Sequence, residues 1–156
     1  MPRTSTRPKA PAKRVQQAYR LEDQVGFLLR RAYQRASSNL VERIGVHDLT
    51  APQFATLARL YERGPLSQNL LGRLVAMEPA NIRDVVLRLK KRRLVACTRD
   101  ADDARLNLVN LTPSGMSLIE KLIPIEIECT AFTLASFNAR EKRILYELLE
   151  RLAENE

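Results

Sequence analysis

The chain has 156 residues, 26 Lys and Arg against 18 Asp and Glu, a formal net charge of +8, and 45% hydrophobic residues, enough for one core with appended helices. No apolar run approaches the roughly 18 residues that cross a bilayer, and the first residues lack the apolar stretch of a secretory leader, so a soluble cytoplasmic protein without a membrane partner is expected. One histidine and two separated cysteines, Cys97 and Cys129, without a glycine-rich phosphate loop or a nucleophile tied to a base, argue against an enzyme, a metal site and a bound cofactor.

Residues 1–20 hold Arg3, Arg7, Lys9, Lys13, Arg14 and Arg20 with no acid, so they carry most of the net charge. With three prolines and few large apolar residues, this segment is expected to be a disordered basic arm. From Leu21 to Ile44, apolar residues recur at spacings of three and four, which predicts one long helix ended by Gly45. Thr50 as N-cap and Pro52 in the first turn start a second helix, which stops at Gly64 and Pro65. Ser67 caps the short helix "QNLLGRLV", and Pro79 opens "PANIRDVVLRLKKR". That last helix turns Ile82, Val85, Val86 and Leu89 inward and leaves a cationic outside. Between Arg83 and Arg99, seven basic residues stand against Asp84 alone.

Two strand-like runs, "LVACTR" and "LNLVNL", flank the turn "DADDA" as a charged hairpin. Thr112 and Pro113 start a further helix, which Pro124 is expected to kink or interrupt. A last helix follows Asn138 and carries Ile144, Leu145, Leu148, Leu149 and Leu152 on one side. The expected fold is therefore mainly α with a small β-hairpin wing. It is a winged helix-turn-helix over 49–112, with dimerisation helices at 21–48 and 113–156. In such a fold one helix enters the DNA major groove while the hairpin reaches beside it. The hairpin offers Arg105, and with it Arg99, to the negative minor groove, with Asp103 orienting the Arg105 guanidinium.

The stretches "LTAPQFATLARL" (49–60), "LSQNLLGRL" (66–74), "VVLRLKKRRLV" (85–95) and above all "DARLNLVNLTPSG" (103–115) resemble the multiple antibiotic resistance regulator (MarR) family of bacterial transcription factors. The last matches the family's wing pattern: Asp, any residue, Arg, a short strand into Leu-Thr, then Gly three residues after the Thr. The resemblance implies a cytoplasmic, nucleoid-associated homodimer on double-stranded operator DNA, with pseudo-palindromic half-sites about one helical turn apart. It places the recognition helix at Pro79–Arg92. There Pro79 and Ala80 lead into Asn81 and Arg83, suited to adenine and guanine edges. Asp84 either accepts from cytosine or pairs with Arg88 one turn later. Ser67, Gln68 and Asn69 are placed at phosphates. Two departures stand out. Arg93 replaces the family's glycine at the end of the recognition helix, at a cost of roughly 1 kcal/mol if it must adopt a left-handed conformation. Gly72 stands where the family often has alanine and permits close helix contact.

Many members of that family are released from DNA by small aromatic or anionic molecules bound between the dimerisation helices and the winged domain. Here the candidates to line such a site are Arg31, Tyr33, His47, Phe54 and Arg59, a set suited to an aromatic carboxylate or its coenzyme A thioester. Competing readings are a nonspecific chromosome-coating protein, which would bind DNA with a steep salt slope, and a winged-helix protein-interaction module, which would not need arginines concentrated on helix and wing. Redox sensing through Cys97 or Cys129 lacks an obvious resolving pair.

Overall fold

In the computed structural model the residues described are 19–99 and 107–154. The chain falls into two compact units, Met1–Arg35 and Ala36–Glu156. The helices are α1 (Val25–Ile44), α2 (Ala51–Arg63), α3 (Gln68–Leu74), α4 (Pro79–Lys91), α5 (Pro113–Thr133) and α6 (Ala139–Ala153); the strands are β1 (Leu66–Ser67), β2 (Val95–Arg99) and β3 (Asn107–Leu111). A short 3-10 turn, Leu21–Asp23, precedes α1, so the single expected helix is divided at its start. In the first unit Arg31 lies over the Phe27 ring, 5.8 Å from its centroid, while Leu21, Val25, Leu28 and Tyr33 are exposed.

In the second unit the helix starts follow side-chain capping. Thr50 accepts from the Gln53 amide and the Gln53 side chain accepts from the Thr50 amide, a reciprocal box at the start of α2. Asn138 and Glu141 form the same box for α6. Ser67 caps α3 and Thr112 caps α5, each through its hydroxyl oxygen. Ile44, Leu57, Leu71, Ile82, Leu89, Ile119 and Leu122 are each at most 1% exposed, so the C-terminal turn of α1 and helices α2 to α5 share one core. Buried Thr56 donates its hydroxyl to the Pro52 carbonyl at 2.8 Å, which satisfies its polar group inside that core. Helix α6 contributes no buried residue.

The sheet is three-stranded and antiparallel, in the order β1-β3-β2, rather than a two-stranded hairpin. Leu66 pairs with Val109 and Ser67 with Leu108, so the wing is hydrogen-bonded to the residue that caps α3. The register Val95↔Leu111 through Arg99↔Asn107 sets β2 on the other side of β3. Helix α5 runs through Pro124 as one helix, so of the expected kink or interruption the interruption does not occur. Proline removes one backbone donor there, and both Pro124 and Glu120, whose carbonyl loses that partner, are exposed residues.

Arg93 adopts φ 58, the left-handed conformation that glycine holds most cheaply. Its amide bonds the Lys90 carbonyl at 2.9 Å and the Leu94 amide bonds the Leu89 carbonyl at 3.0 Å, a Schellman closure of α4. Immediately beyond, the Thr112 amide bonds the Leu94 carbonyl at 3.1 Å and the Thr112 hydroxyl donates to the Arg93 carbonyl at 2.6 Å. A Cβ on Gly115 would stand 2.0 Å from the Leu94 carbonyl oxygen, so α5 can start against this corner only from glycine. Two substitutions test the corner by urea unfolding. Gly115→Ala is expected to lower stability by about 1–3 kcal/mol through overpacking against backbone. Arg93→Gly is expected to raise it by up to about 1 kcal/mol by relieving the left-handed strain.

Candidate nucleic-acid interface

Helix α4 is closed onto the core by buried Ile82, Val86 and Leu89 at spacings of three and four. The same geometry turns the rest outward: Pro79, Ala80, Asn81, Arg83, Asp84, Leu87, Arg88, Lys90 and Lys91 are all exposed. The ion pairs among the described residues do not include Asp84 with Arg88, so the i,i+4 alternative for that acid is not realised here. In front of α4 a shallow cleft of about 610 Å³ is lined by Asn69, Gly72, Arg73, Met77, Glu78 and Pro79 among others. It lies in the turn between α3 and α4. Gly72 permits this tight approach: a Cβ there would meet Ile82 Cγ2 at 3.0 Å.

Ser67 and Gln68 are half-buried and Asn69 is exposed at the start of α3. The Ser67 oxygen accepts from the Leu70 amide at 3.4 Å, so its hydroxyl proton is still available to an outside acceptor. Arg99 is exposed at the end of β2. Asp103 and Arg105 lie outside the described residues. The structure therefore brings the helix-turn-helix candidates onto adjoining elements, with Arg99 at the strand that leads into the wing.

The ligand candidates are distributed differently. Tyr33 is 63% exposed and Arg31 is stacked on Phe27. In the second unit Phe54 belongs to the core. Arg59 pairs with Glu62 at 2.7 Å, which neutralises it locally. His47 is half-buried in a 3-10 turn, Gly45–His47, that joins α1 to α2.

Two features escaped the sequence. Arg92, read as part of a cationic surface, instead donates to the backbone carbonyls of His47 (2.7 Å) and Asp48. Nothing in the spacing of Arg92 and His47 announces that contact. The second feature joins residues 36–44 of α1 to α5. Asn39 Nδ2 donates to Thr133 Oγ1 at 3.0 Å, and Arg43 lies 3.4 Å from Glu128 and 5.9 Å from the Phe132 ring centroid. Cys129 is buried there and its thiol points to the Asn39 carbonyl at 3.6 Å. Burial pushes the Cys129 thiol up, although nearby Arg43 opposes this, so it is protonated at neutral pH and is not an activated nucleophile.

A winged helix-turn-helix protein with a cationic recognition helix is the class these elements define. The sequence profile of the MarR family matches residues 49–106. The HTH-type transcriptional repressor NicR of Pseudomonas putida is 37% identical over 138 residues, covering 88% of this chain and 87% of NicR. A probable transcriptional regulator from Pseudomonas aeruginosa is 44% identical with a TM-score of 0.78, over 85% of this chain and 99% of that one. Bordetella bronchiseptica BpsR, whose structure describes regulation of its DNA binding by 6-hydroxynicotinic acid, is 36% identical with a TM-score of 0.83, over 88% of this chain and 99% of BpsR. The chain belongs to the MarR family. It is a DNA-binding transcriptional regulator and not an enzyme. Among the described residues, no helix is long and apolar enough to cross a membrane.

One carboxylate near the α1–α5 seam carries a testable cost. Glu126 Oε2 is buried without a partner, and burial raises the pKa of the group, with the Thr130 side chain acting in the opposite direction. The folded state therefore holds this proton more tightly than the unfolded chain, whose Glu titrates near about 4.3, and stability falls as pH rises through the interval above that value. Glu126→Gln is expected to raise Tm at pH 7, with the gain shrinking to nothing below about pH 4. An equal gain at both pH values would show that ionisation is not its cause.

Proposed function

We propose that the chain is a homodimeric repressor that occupies a pseudo-palindromic operator and is released by a small aromatic acid or its coenzyme A thioester. The observation that carries the DNA-binding half is the exposed face of α4. Asn81 and Arg83 sit in its first turns, and behind them Arg88, Lys90 and Lys91 outnumber the single acid Asp84. Asn81 and Arg83 are assigned to adenine and guanine edges, with Asp84 at a cytosine or left as a spacer. Pro79 and Ala80 hold the helix start at the groove. Ser67, Gln68 and Asn69 take phosphates from the start of α3, and Arg88 and Arg99 flank them. Arg105, oriented by Asp103, takes the minor groove, and residues 1–20 add nonspecific phosphate contacts.

In this reading residues 49–112 read DNA while 21–48 and 113–156 pair with a second copy. Exposed apolar side chains near both chain ends support the pairing: Leu21, Val25 and Leu28, and Ile144, Leu148, Leu149 and Leu152, are between 40% and 63% exposed. Exposed apolar side chains repeated along one helix, as in α6, mark an interaction face. The ligand half rests on likeness to BpsR, whose DNA binding is described as regulated by 6-hydroxynicotinic acid. An aromatic carboxylate of that type is the ligand class proposed, with Arg31, Tyr33, His47, Phe54 and Arg59 kept as the candidate residues to be tested by substitution.

Fluorescence anisotropy of the protein against its own promoter and a scrambled duplex tests the reading. A preference of at least about a thousandfold, abolished by one member of a panel of aromatic acids and thioesters, is expected. Equal binding to both duplexes would favour the chromosome-coating reading. Arg83→Ala is expected to cost about 1–3 kcal/mol and to relax preference at one base pair, whereas Arg105→Ala weakens binding through the wing. Wild-type affinity in both variants would remove these contact assignments.

A further inference from the structure

The two residues that follow α4, Arg92 and Arg93, are tied to the two elements on either side of the helix-turn-helix. Arg92 is half-buried, and its guanidinium spans the carbonyls of His47 and Asp48 with separate nitrogens, a two-point contact that lysine cannot reproduce. The turn it grips is itself fixed: Ile44 before it is 0% and Leu49 after it 3% exposed, and the Asp48 amide closes onto the Gly45 carbonyl at 2.8 Å with Asp48 at φ 54. Residues 36–44, which lead into that turn, are bonded to α5 through Asn39–Thr133 and Arg43–Glu128. One residue later, Arg93 is bonded through its carbonyl to the Thr112 hydroxyl at the start of α5.

We propose that Arg92 is a positioning residue that sets the angle of the recognition helix against the end of α1, and thereby the spacing of half-sites the dimer accepts. This rests on the operator-bound dimer proposed above. Arg92 spends both outward nitrogens on backbone carbonyls, so it acts through α4 and not by neutralising a phosphate. The two roles differ in what they predict. A phosphate contact survives in Arg92→Lys and, when removed, lowers the salt slope by about one. A strap is lost in Arg92→Lys and leaves the slope unchanged.

The test uses the full chain and its promoter fragment, with half-sites mapped by footprinting, and fragments with one base pair inserted or removed between them. Wild type is expected to discriminate against the altered spacings by on the order of tenfold or more. In Arg92→Lys and Arg92→Gln that discrimination is expected to collapse to less than about threefold with an unchanged salt slope. Should a variant fail to fold by circular dichroism, hydrogen exchange on wild type decides. Operator binding is then expected to slow exchange at residues 46–49 together with α4, and no slowing at 46–49 overturns the strap. Retained discrimination in Arg92→Lys, or a slope lowered by about one in Arg92→Gln, overturns it too. Absence of any operator preference in wild type would instead defeat the dimer reading, and the strap with it.

Discussion

The backbone corner at Arg93 and Leu94 is the constraint on which the arrangement of the second unit depends. Within two residues the chain ends α4, reverses through a left-handed residue, begins β2, and gives both carbonyls to Thr112 at the start of α5. The recognition helix, the wing and the helix leading to the chain's end are therefore fixed to one another by backbone carbonyls bonded to the amide and the short hydroxyl side chain of Thr112 rather than by long side chains. Such bonds tolerate substitution at Arg93 and Leu94, because those side chains can vary while their carbonyls remain, but they require the hydroxyl of Thr112. What they do not tolerate is volume. Gly115 sits so close to Leu94 that a single methyl group would enter its carbonyl oxygen, which gives the glycine three residues after the threonine a steric reason. The left-handed position itself is less demanding: it is filled by Arg93 at a modest energetic cost.

Burial and charge on α4 follow from one periodicity. The positions facing inward are spent on Ile82, Val86 and Leu89, and the outward positions are left free for chemistry. The exposed cations there cannot neutralise one another, and the helix offers only Asp84 as an acid, so the outer face keeps a positive potential that a polyanion can relieve. Arg92 is the exception, since its half-buried guanidinium is satisfied by carbonyls. Counting arginines on a helical wheel therefore overstates the charge available to a partner.

What was legible in the sequence was mostly local. Thr50, Ser67, Thr112 and Asn138 each announce a helix start because a short polar side chain before an apolar period can accept from the first free amides, and all four do so. The inward face of α4 was legible for the same reason of spacing. Strand β1 was not, since two residues carry no alternation and its existence depends on β3 presenting a free edge. That α5 continues through Pro124 was not legible, because the cost of a missing amide depends on the surroundings of the orphaned carbonyl, which is a property of the packed helix. The Arg92 contact joins residues 44 and 45 positions apart through backbone acceptors, and backbone acceptors have no residue-type signature. The wing tip with Asp103 and Arg105, legible as a motif, lies outside the described residues.

The division between committed and uncommitted apolar surface bears on how such a regulator can switch. The core of the second unit is filled by α1's last turn and α2 to α5, while the apolar side of α6 is not used to hold that unit together. In the proposed dimer the free energy of covering Ile144, Leu148, Leu149 and Leu152 therefore belongs to assembly, at up to about 1.5–3 kcal/mol for each side chain fully buried. A near-complete shift between DNA-competent and incompetent dimers needs a ligand preference of about 5.5 kcal/mol, comparable with fully burying about two to four such side chains. In that proposed dimer, repacking of α6, which contributes no buried residue to the folded unit, is on the energetic scale that such a shift needs.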